Sequence, residues 1–307
     1  MIRVRIPATT ANLGPGFDCM GLALDLWNDF ALYPGEGWSV ETHGEGAGRL
    51  ATGPENLVVS VMRDELRRLG ITAPTGGHIV CHNAIPPASG LGSSSTATLA
   101  GILFAHAHAL HALGEDPAAI NPATALESAV AVEGHGDNVA PALLGGFVIV
   151  VPDESGVLTQ RIPHVPMQAV VCVPEVDFLT VDARAALPPS YSKADAIFNI
   201  GRAMLVAEAL RAGDDVLLAR AMRDRIHEPY RLPLVPGASA AFSAAREAGA
   251  IAVALSGAGP GTVAFAREGF DRIGRAMKTA FADAGVPSRY WVLDATPEGT
   301  RIGRLPV

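Results

Sequence analysis

The run Gly90-Leu91-Gly92-Ser93-Ser94-Ser95-Thr96 places glycines and hydroxyl side chains where a turn opens onto an Ala/Leu-rich helical stretch. Glycine lets backbone approach a ligand closely. The first N–H groups of a helix lack intrahelical partners, and the helix dipole adds positive potential there. A turn of this kind attracts a phosphate or another anion. The serine hydroxyls can add hydrogen bonds or a ligand for Mg²⁺. The competing reading is an ordinary serine-capped loop. No Lys precedes the Ser/Thr pair, so this is not a Walker-type phosphate loop, and position 95 is serine where the dinucleotide fingerprint needs glycine. Two more glycine clusters, 14–16 and 257–261, also fall at junctions between regular segments.

Other chemistry is weaker. No Gly-x-Ser-x-Gly elbow surrounds any serine. His106, His108 and His111 invite a metal reading, but 106 and 108 point to different faces of a helix. His78 and His82 share one strand face with nothing else ligand-like, which favours packing. Cys19, Cys81 and Cys172 stand far apart with no Cys-x-x-Cys pair, against a zinc ribbon or a disulfide framework.

These residues need elements to hold them. Residues 4–6 read as an opening strand, 19–33 as apolar chain, and 38–43 and 77–83 as alternating strands. Helical spacing covers 56–69, 94–113 and 122–133, the last opening on Asn121-Pro122. Residues 145–151 form a buried strand. The less apolar, proline-punctuated stretch 152–166 predicts a domain boundary, giving units 1–160 and 161–307. The second unit reads as strand 168–173, helices 191–212, 214–224 and 238–248, strands 251–255 and 262–266, helix 269–284 and strand 289–294. Strands and helices mix without strict alternation, which predicts an α+β fold.

With 307 residues, 49% of them hydrophobic and 18% charged, the chain has the composition of a folded protein of two domains. A net charge of −8 with no basic run argues against nucleic acid as partner. No apolar run reaches membrane-spanning length and no leader-like segment opens the chain, so a cytoplasmic protein without membrane contact is expected.

Read together, the three glycine clusters carry a resemblance. Pro7-Ala8-Thr9-Thr10-Ala11-Asn12-Leu13-Gly14-Pro15-Gly16-Phe17-Asp18 resembles the first motif of the GHMP kinase superfamily. Residues 86–96 resemble its phosphate-binding motif and Ser256-Gly257-Ala258-Gly259-Pro260 its third, with Gly261 where the family often has Thr. Glu133-Gly134-His135-Gly136-Asp137-Asn138, Leu179-Thr180-Val181-Asp182-Ala183-Arg184 and Glu228-Pro229-Tyr230-Arg231 are similar to the homoserine kinase branch. The resemblance covers the whole chain. It implies a ribosomal-protein-S5-domain-2-like N-terminal domain and a ferredoxin-like C-terminal domain, with the site between them.

The same resemblance implies ATP, Mg²⁺ and L-homoserine as ligands. ATP would contact Asn56, Pro86, Ser89, Gly90, Leu91, Gly92, Ser93, Ser94, Ser95, Thr96, Gly257 and Gly259. Asn56 reads equally as a helix cap. Ser94 and Glu127 would hold Mg²⁺, with a helix-surface acid as the alternative reading of Glu127. Arg184 and Arg231 would take the amino-acid carboxylate and Asp18 the ammonium. Asn12, His135, Asn138 and Thr180 would bind the hydroxyl. Asn12 replaces the lysine or arginine that other members carry in the first motif, and Asn138 stands where their catalytic aspartate is expected. This implies direct attack of the hydroxyl on the γ-phosphate, oriented by Asn12 and Asn138, with Asp18 the only nearby candidate base. The competing functions are a GHMP kinase for another small alcohol, which would not need the arginine pair with Asp18, and a non-catalytic nucleotide-binding protein. A homodimer is left open.

Overall fold

The computed structural model describes residues 2–178 and 180–304; Leu179 of the quoted motif lies outside them. The first half runs β1 (Ile2–Ala11), β2 (Met20–Tyr33), β3 (Trp38–Gly44), α1 (Leu57–Arg68), β4 (Gly77–Asn83), α2 (Ser93–Ala112), α3 (Pro122–Glu133), α4 (Val139–Leu144), β5 (Phe147–Asp153) and β6 (Gly156–Ile162). The second runs β7 (Gln168–Pro174), α5 (Thr180–Ala185), α6 (Lys193–Ala212), α7 (Asp215–Ala221), α8 (Glu228–Arg231), α9 (Ala238–Glu247), β8 (Ala252–Leu255), β9 (Thr262–Ala266), α10 (Phe270–Asp283), β10 (Ser288–Asp294) and β11 (Arg301–Arg304).

Local chemistry sets the helix boundaries. Asn56 caps α1 by accepting from the Val58 N–H, and Asn121 caps α3 ahead of Pro122. Gly134 ends α3 in the left-handed conformation that glycine adopts without a Cβ penalty. In contrast α2 begins on left-handed Gly92 with no side-chain cap at all. Its first-turn N–H groups therefore stay open for a ligand.

The first sheet has seven strands, with path β11-β1-β2-β4-β3 and β5 and β6 branching from the near end of β2. One face carries a core of α1–α4 side chains, with Met62, Leu66, Leu99, Leu103 and Phe104 fully buried. The second sheet is antiparallel in order β10-β7-β9-β8. Counted with α9 and α10, its chain order β7-α9-β8-β9-α10-β10 gives the 4-1-3-2 strand order of a ferredoxin-like unit, and α5–α8 are an insertion into it. Alternation along β7 divides the packing. Val170 and Cys172 face α9 and α10, whereas Ala169, Val171 and Val173 join Leu13, Leu22, Leu91 and Phe147 of the first half in a shared core.

The stretch expected as a boundary is not a linker. Residues 156–162 form an edge strand paired to β5, and their mostly exposed pattern explains the weak apolar content. At the other end β11 pairs with β1, so the segment 161–307 returns its last described strand to the first sheet. Strand β11 has four residues, too few to show a period. Among the described residues no helix is long and apolar enough to cross a membrane.

Candidate active site

The three motifs that carry the glycine clusters converge on one cavity of about 430 Å³ lined by both halves of the chain, through Asn12 and Asp18 of the first, Gly90 and Gly92 of the second and Gly257 and Gly259 of the third. Gly90 and Gly92 have φ of 77° and 73°. A Cβ at Gly90 would run into the Ser256 carbonyl, and one at Gly92 into the Thr9 hydroxyl. Glycine is thus required by close approach as well as by φ. Ser256 Oγ donates to the Gly90 carbonyl at 2.7 Å, and Asn12 Nδ2 donates to the Gly257 carbonyl at 2.7 Å. These bonds lock the first and third clusters around the N-terminus of α2.

Asn12 is held in place by its own bonds. Its Oδ1 accepts from the Asp18 N–H at 2.9 Å, so each end of the amide has one partner inside the protein, while the second Nδ2–H remains available at the cavity that Asn12 borders. Asn138 Oδ1 accepts from Thr9 Oγ1 at 2.8 Å, while its Nδ2 has only a long 3.4 Å bond to Asp137. Asn138 can therefore still donate into the cavity.

Across from the glycines lies a charged group. Arg184 grips Asp18 through two bonds of 3.0 and 2.9 Å. Arg231 is 1% exposed, and burial pulls its guanidinium pKa below the usual value, helped by the nearby charge of Arg184. Its side-chain hydrogen bonds go to the Ala183 carbonyl and the His227 ring, and among the described residues it makes no ion pair. A buried cation left without a carboxylate is costly, and this one borders a cavity that can admit an anion. His135 Nδ1 meets Asp137 Oδ1 at 2.5 Å. Burial lowers the His135 pKa, but the bond to Asp137 and that group's charge outweigh it and raise it overall. Asp18, His135 and Asp137 could jointly surround a cation.

Glu133 ends α3 beside the glycine loop, where its carboxylate accepts from Ser95 Oγ at 3.1 Å and Thr98 Oγ1 at 2.5 Å. The exposed Ser94 hydroxyl borders the same cavity. Carboxylate and hydroxyl oxygens are the donors Mg²⁺ takes, with water and phosphate completing its shell. Glu127 is not there. It is exposed further back on α3, near Gly156 of the β5–β6 hairpin. Both acids lie on the same helix, and spacing alone does not say which one reaches the loop.

Among the expected residues, Asn12, Asp18, Ser89, Gly90, Gly92, Ser93, Ser94, Ser95, His135, Asn138, Thr180, Arg184, Arg231, Gly257 and Gly259 border this cavity. Asn56 borders a neighbouring one of about 310 Å³ that shares Ala88, Ser93 and Ser94 with it. Pro86, Leu91 and Thr96 instead support the loop. The Pro86 carbonyl accepts from Ser89 Oγ, Leu91 is buried, and Thr96 Oγ1 bonds to the Ser93 carbonyl and Asn28. Sequence reasoning passed over Asp137 and Glu133. Both stand inside the Glu133–Asn138 motif, which was their available signal.

Models of known families match twice, as the GHMP kinases N terminal domain over residues 56–146 and the GHMP kinases C terminal over 206–283. The homoserine kinase of Moorella thermoacetica is 42% identical over 92% of this chain and 93% of its own. The crystal structure of homoserine kinase from Cytophaga hutchinsonii superposes with a TM-score of 0.82 at 31% identity, covering 98% of this chain and 96% of that one. The Leishmania major mevalonate kinase shares the fold at a TM-score of 0.72 and 17% identity, covering 96% of each chain.

Proposed function

The chain belongs to the homoserine kinases of the GHMP kinase family, and on that premise we propose that it transfers the γ-phosphoryl group of ATP to the side-chain hydroxyl of L-homoserine. One observation carries the reading: an uncapped helix N-terminus and a buried, carboxylate-free Arg231 open into the same cavity. The first suits a phosphate and the second an amino-acid carboxylate.

In this reading adenosine occupies the cavity beside Asn56, and the phosphates lie on 90–95 at the start of α2. Ser94 and Glu133 would hold Mg²⁺, in place of the Ser94–Glu127 pair expected from sequence. Held there, Mg²⁺ would supply neutralisation of the phosphate charge. Arg231 and Arg184 bind the substrate carboxylate. Asp18 and Asp137 face the ammonium, which is the cation that their cluster with His135 can surround. Asn138 Nδ2 orients the hydroxyl, and Asn12 acts as a latch between clusters. Asp137 is committed to His135, and Asp18 to Arg184. The oxygen therefore attacks phosphorus without a dedicated base and loses its proton late, to phosphate or solvent. Orientation and charge neutralisation supply the acceleration. A cytoplasmic setting fits the three free cysteines.

Coupled ADP release is the test, with L-homoserine, L-serine, L-threonine, mevalonate and galactose compared at millimolar concentration. Turnover should depend on L-homoserine. ADP release that follows mevalonate or galactose instead would overturn the substrate assignment.

A further inference from the structure

Phe17 precedes Asp18 in the turn between β1 and β2. Its ring stacks on His227, with centroids 5.2 Å apart and planes at 24°. The guanidinium carbon of Arg231 lies 5.0 Å from the same ring centroid and that of Arg184 5.9 Å. Both arginines of the proposed carboxylate site thus share one aromatic support. A guanidinium is attracted to the electron-rich face of such a ring, more strongly where water is excluded.

His227 completes the support. It is fully buried, and its Nε2 is 2.8 Å from the Gly14 carbonyl oxygen, which can only accept. The Nε2 therefore carries the proton. Arg231 Nη1, which can only donate, is 3.4 Å from Nδ1. The two partners together select the neutral Nε2–H tautomer. The backbone that carries the ring is also fixed. The Asp224 carboxylate accepts from the backbone N–H groups of Ile226, His227 and Glu228 at 3.1, 2.7 and 2.7 Å. Neither Phe17 nor His227 borders the cavity itself.

We propose that Phe17 and His227 form a platform that aims Arg231 and Arg184 at the substrate carboxylate, and so select an amino-acid alcohol over an alcohol lacking that group. Both act through the arginines and are positioning residues. The proposal rests on the homoserine kinase reading and adds its specificity device.

The test compares L-homoserine with 3-aminopropan-1-ol, which keeps the hydroxyl and the ammonium but has no carboxylate. Phe17→Leu keeps apolar bulk without the π face. His227→Gln keeps a donor for Gly14 but loses the stack and the Nδ1 acceptor. Each should lower kcat/KM for L-homoserine about tenfold, mainly through KM. Turnover of the aminoalcohol and the KM for ATP should hold, so selectivity shrinks by the same factor. Phe17→Tyr restores the ring and should restore selectivity. A proportional fall with both substrates would mean a structural role alone and overturn the proposal, as would unchanged selectivity in both variants. A thermal melt of each variant checks its folding, and if Phe17→Leu does not fold, His227→Gln and Phe17→Tyr decide. Wild-type protein that turns over neither substrate, yet phosphorylates another alcohol, would overturn the functional reading and the platform with it.

Discussion

Asp18 and Glu133 carry the sharpest single-residue expectations. Asp18 is tied to Arg184 by two bonds, so Asp18→Asn should loosen that guanidinium and weaken the ammonium contact together. We expect a raised KM for L-homoserine with the pH profile of kcat unchanged. A lost acidic limb in that profile would make Asp18 the base. Glu133→Gln should raise the Mg²⁺ concentration needed for half-maximal rate and cut kcat by about 10²-fold, as removal of a charge-stabilising group does. Glu127→Gln should change neither, because that side chain is exposed away from the cavity. A Mg²⁺ titration that moves for Glu127→Gln and not for Glu133→Gln would reverse the assignment. The difference between these two acids was invisible in sequence. Residue type and motif brought both Ser94 and an acid of the 122–133 helix into view, but only the helix's placement shows which acid faces the loop. Asn12 teaches the same point, since its position was legible and its bonds to Gly257 and Asp18 were not.

Elements with strong local chemistry were legible, and those defined by partners were not. The helices capped by Asn56 and Asn121 begin where the sequence placed them, because a cap is a contact between near neighbours. The phosphate loop was legible because its glycines and serines stand in order between two further glycine-bearing motifs. The short helices α4, α5 and α8 and the edge strands β6 and β11 escaped, because their few residues show no period and they are ordered by what they pack against. A test of the loop as an element follows from Gly92. Gly92→Ala combines positive φ with a clash against Thr9. It should cost about 1–3 kcal/mol of stability, the usual strain of a non-glycine residue held in that region. It should also raise the KM for ATP several-fold while leaving L-homoserine binding nearly intact. Calorimetry with steady-state kinetics measures both, and an unaltered KM for ATP would remove the α2 N-terminus from the phosphate site.

Two buried carboxylates shape the stability of the whole molecule with opposite signs. Glu65, held by Arg68, His106 and Ser128 between α1, α2 and α3, has its pKa lowered to about 2: burial opposes the shift, but these bonds prevail. A depressed carboxylate contributes stability above its unfolded value that is lost as pH falls through its folded one. Its contribution should therefore disappear between about pH 4.5 and pH 2. Glu228 is the reverse. Burial raises it to about 8, against the bond it accepts from the Leu255 N–H. A raised carboxylate is a stabilising proton acceptor at low pH, and that contribution is lost as pH rises from about 4.5 to about 8. Glu228→Gln keeps an acceptor for Leu255 and cannot ionise. Its Tm should gain on wild type steadily from pH 5 to pH 8, the range over which the unfolded carboxylate ionises and the buried one resists. A constant Tm difference across that range would show that Glu228 ionises normally.

By itself the amino-acid sequence determined the family, the α+β class, the three glycine clusters and most of the residues that border the cavity. Those properties reside in residue type and short spacing, where backbone freedom, caps and charge act between neighbours. The tertiary structure alone decided which half of the chain completes each sheet, which acid of α3 reaches the glycine loop, that Asn12 links the first and third clusters, and that Phe17 packs against His227 and both arginines. Each depends on contacts between residues far apart in the chain, such as Asn12 with Gly257 and Gly14 with His227. Spacing along the chain does not encode such distances.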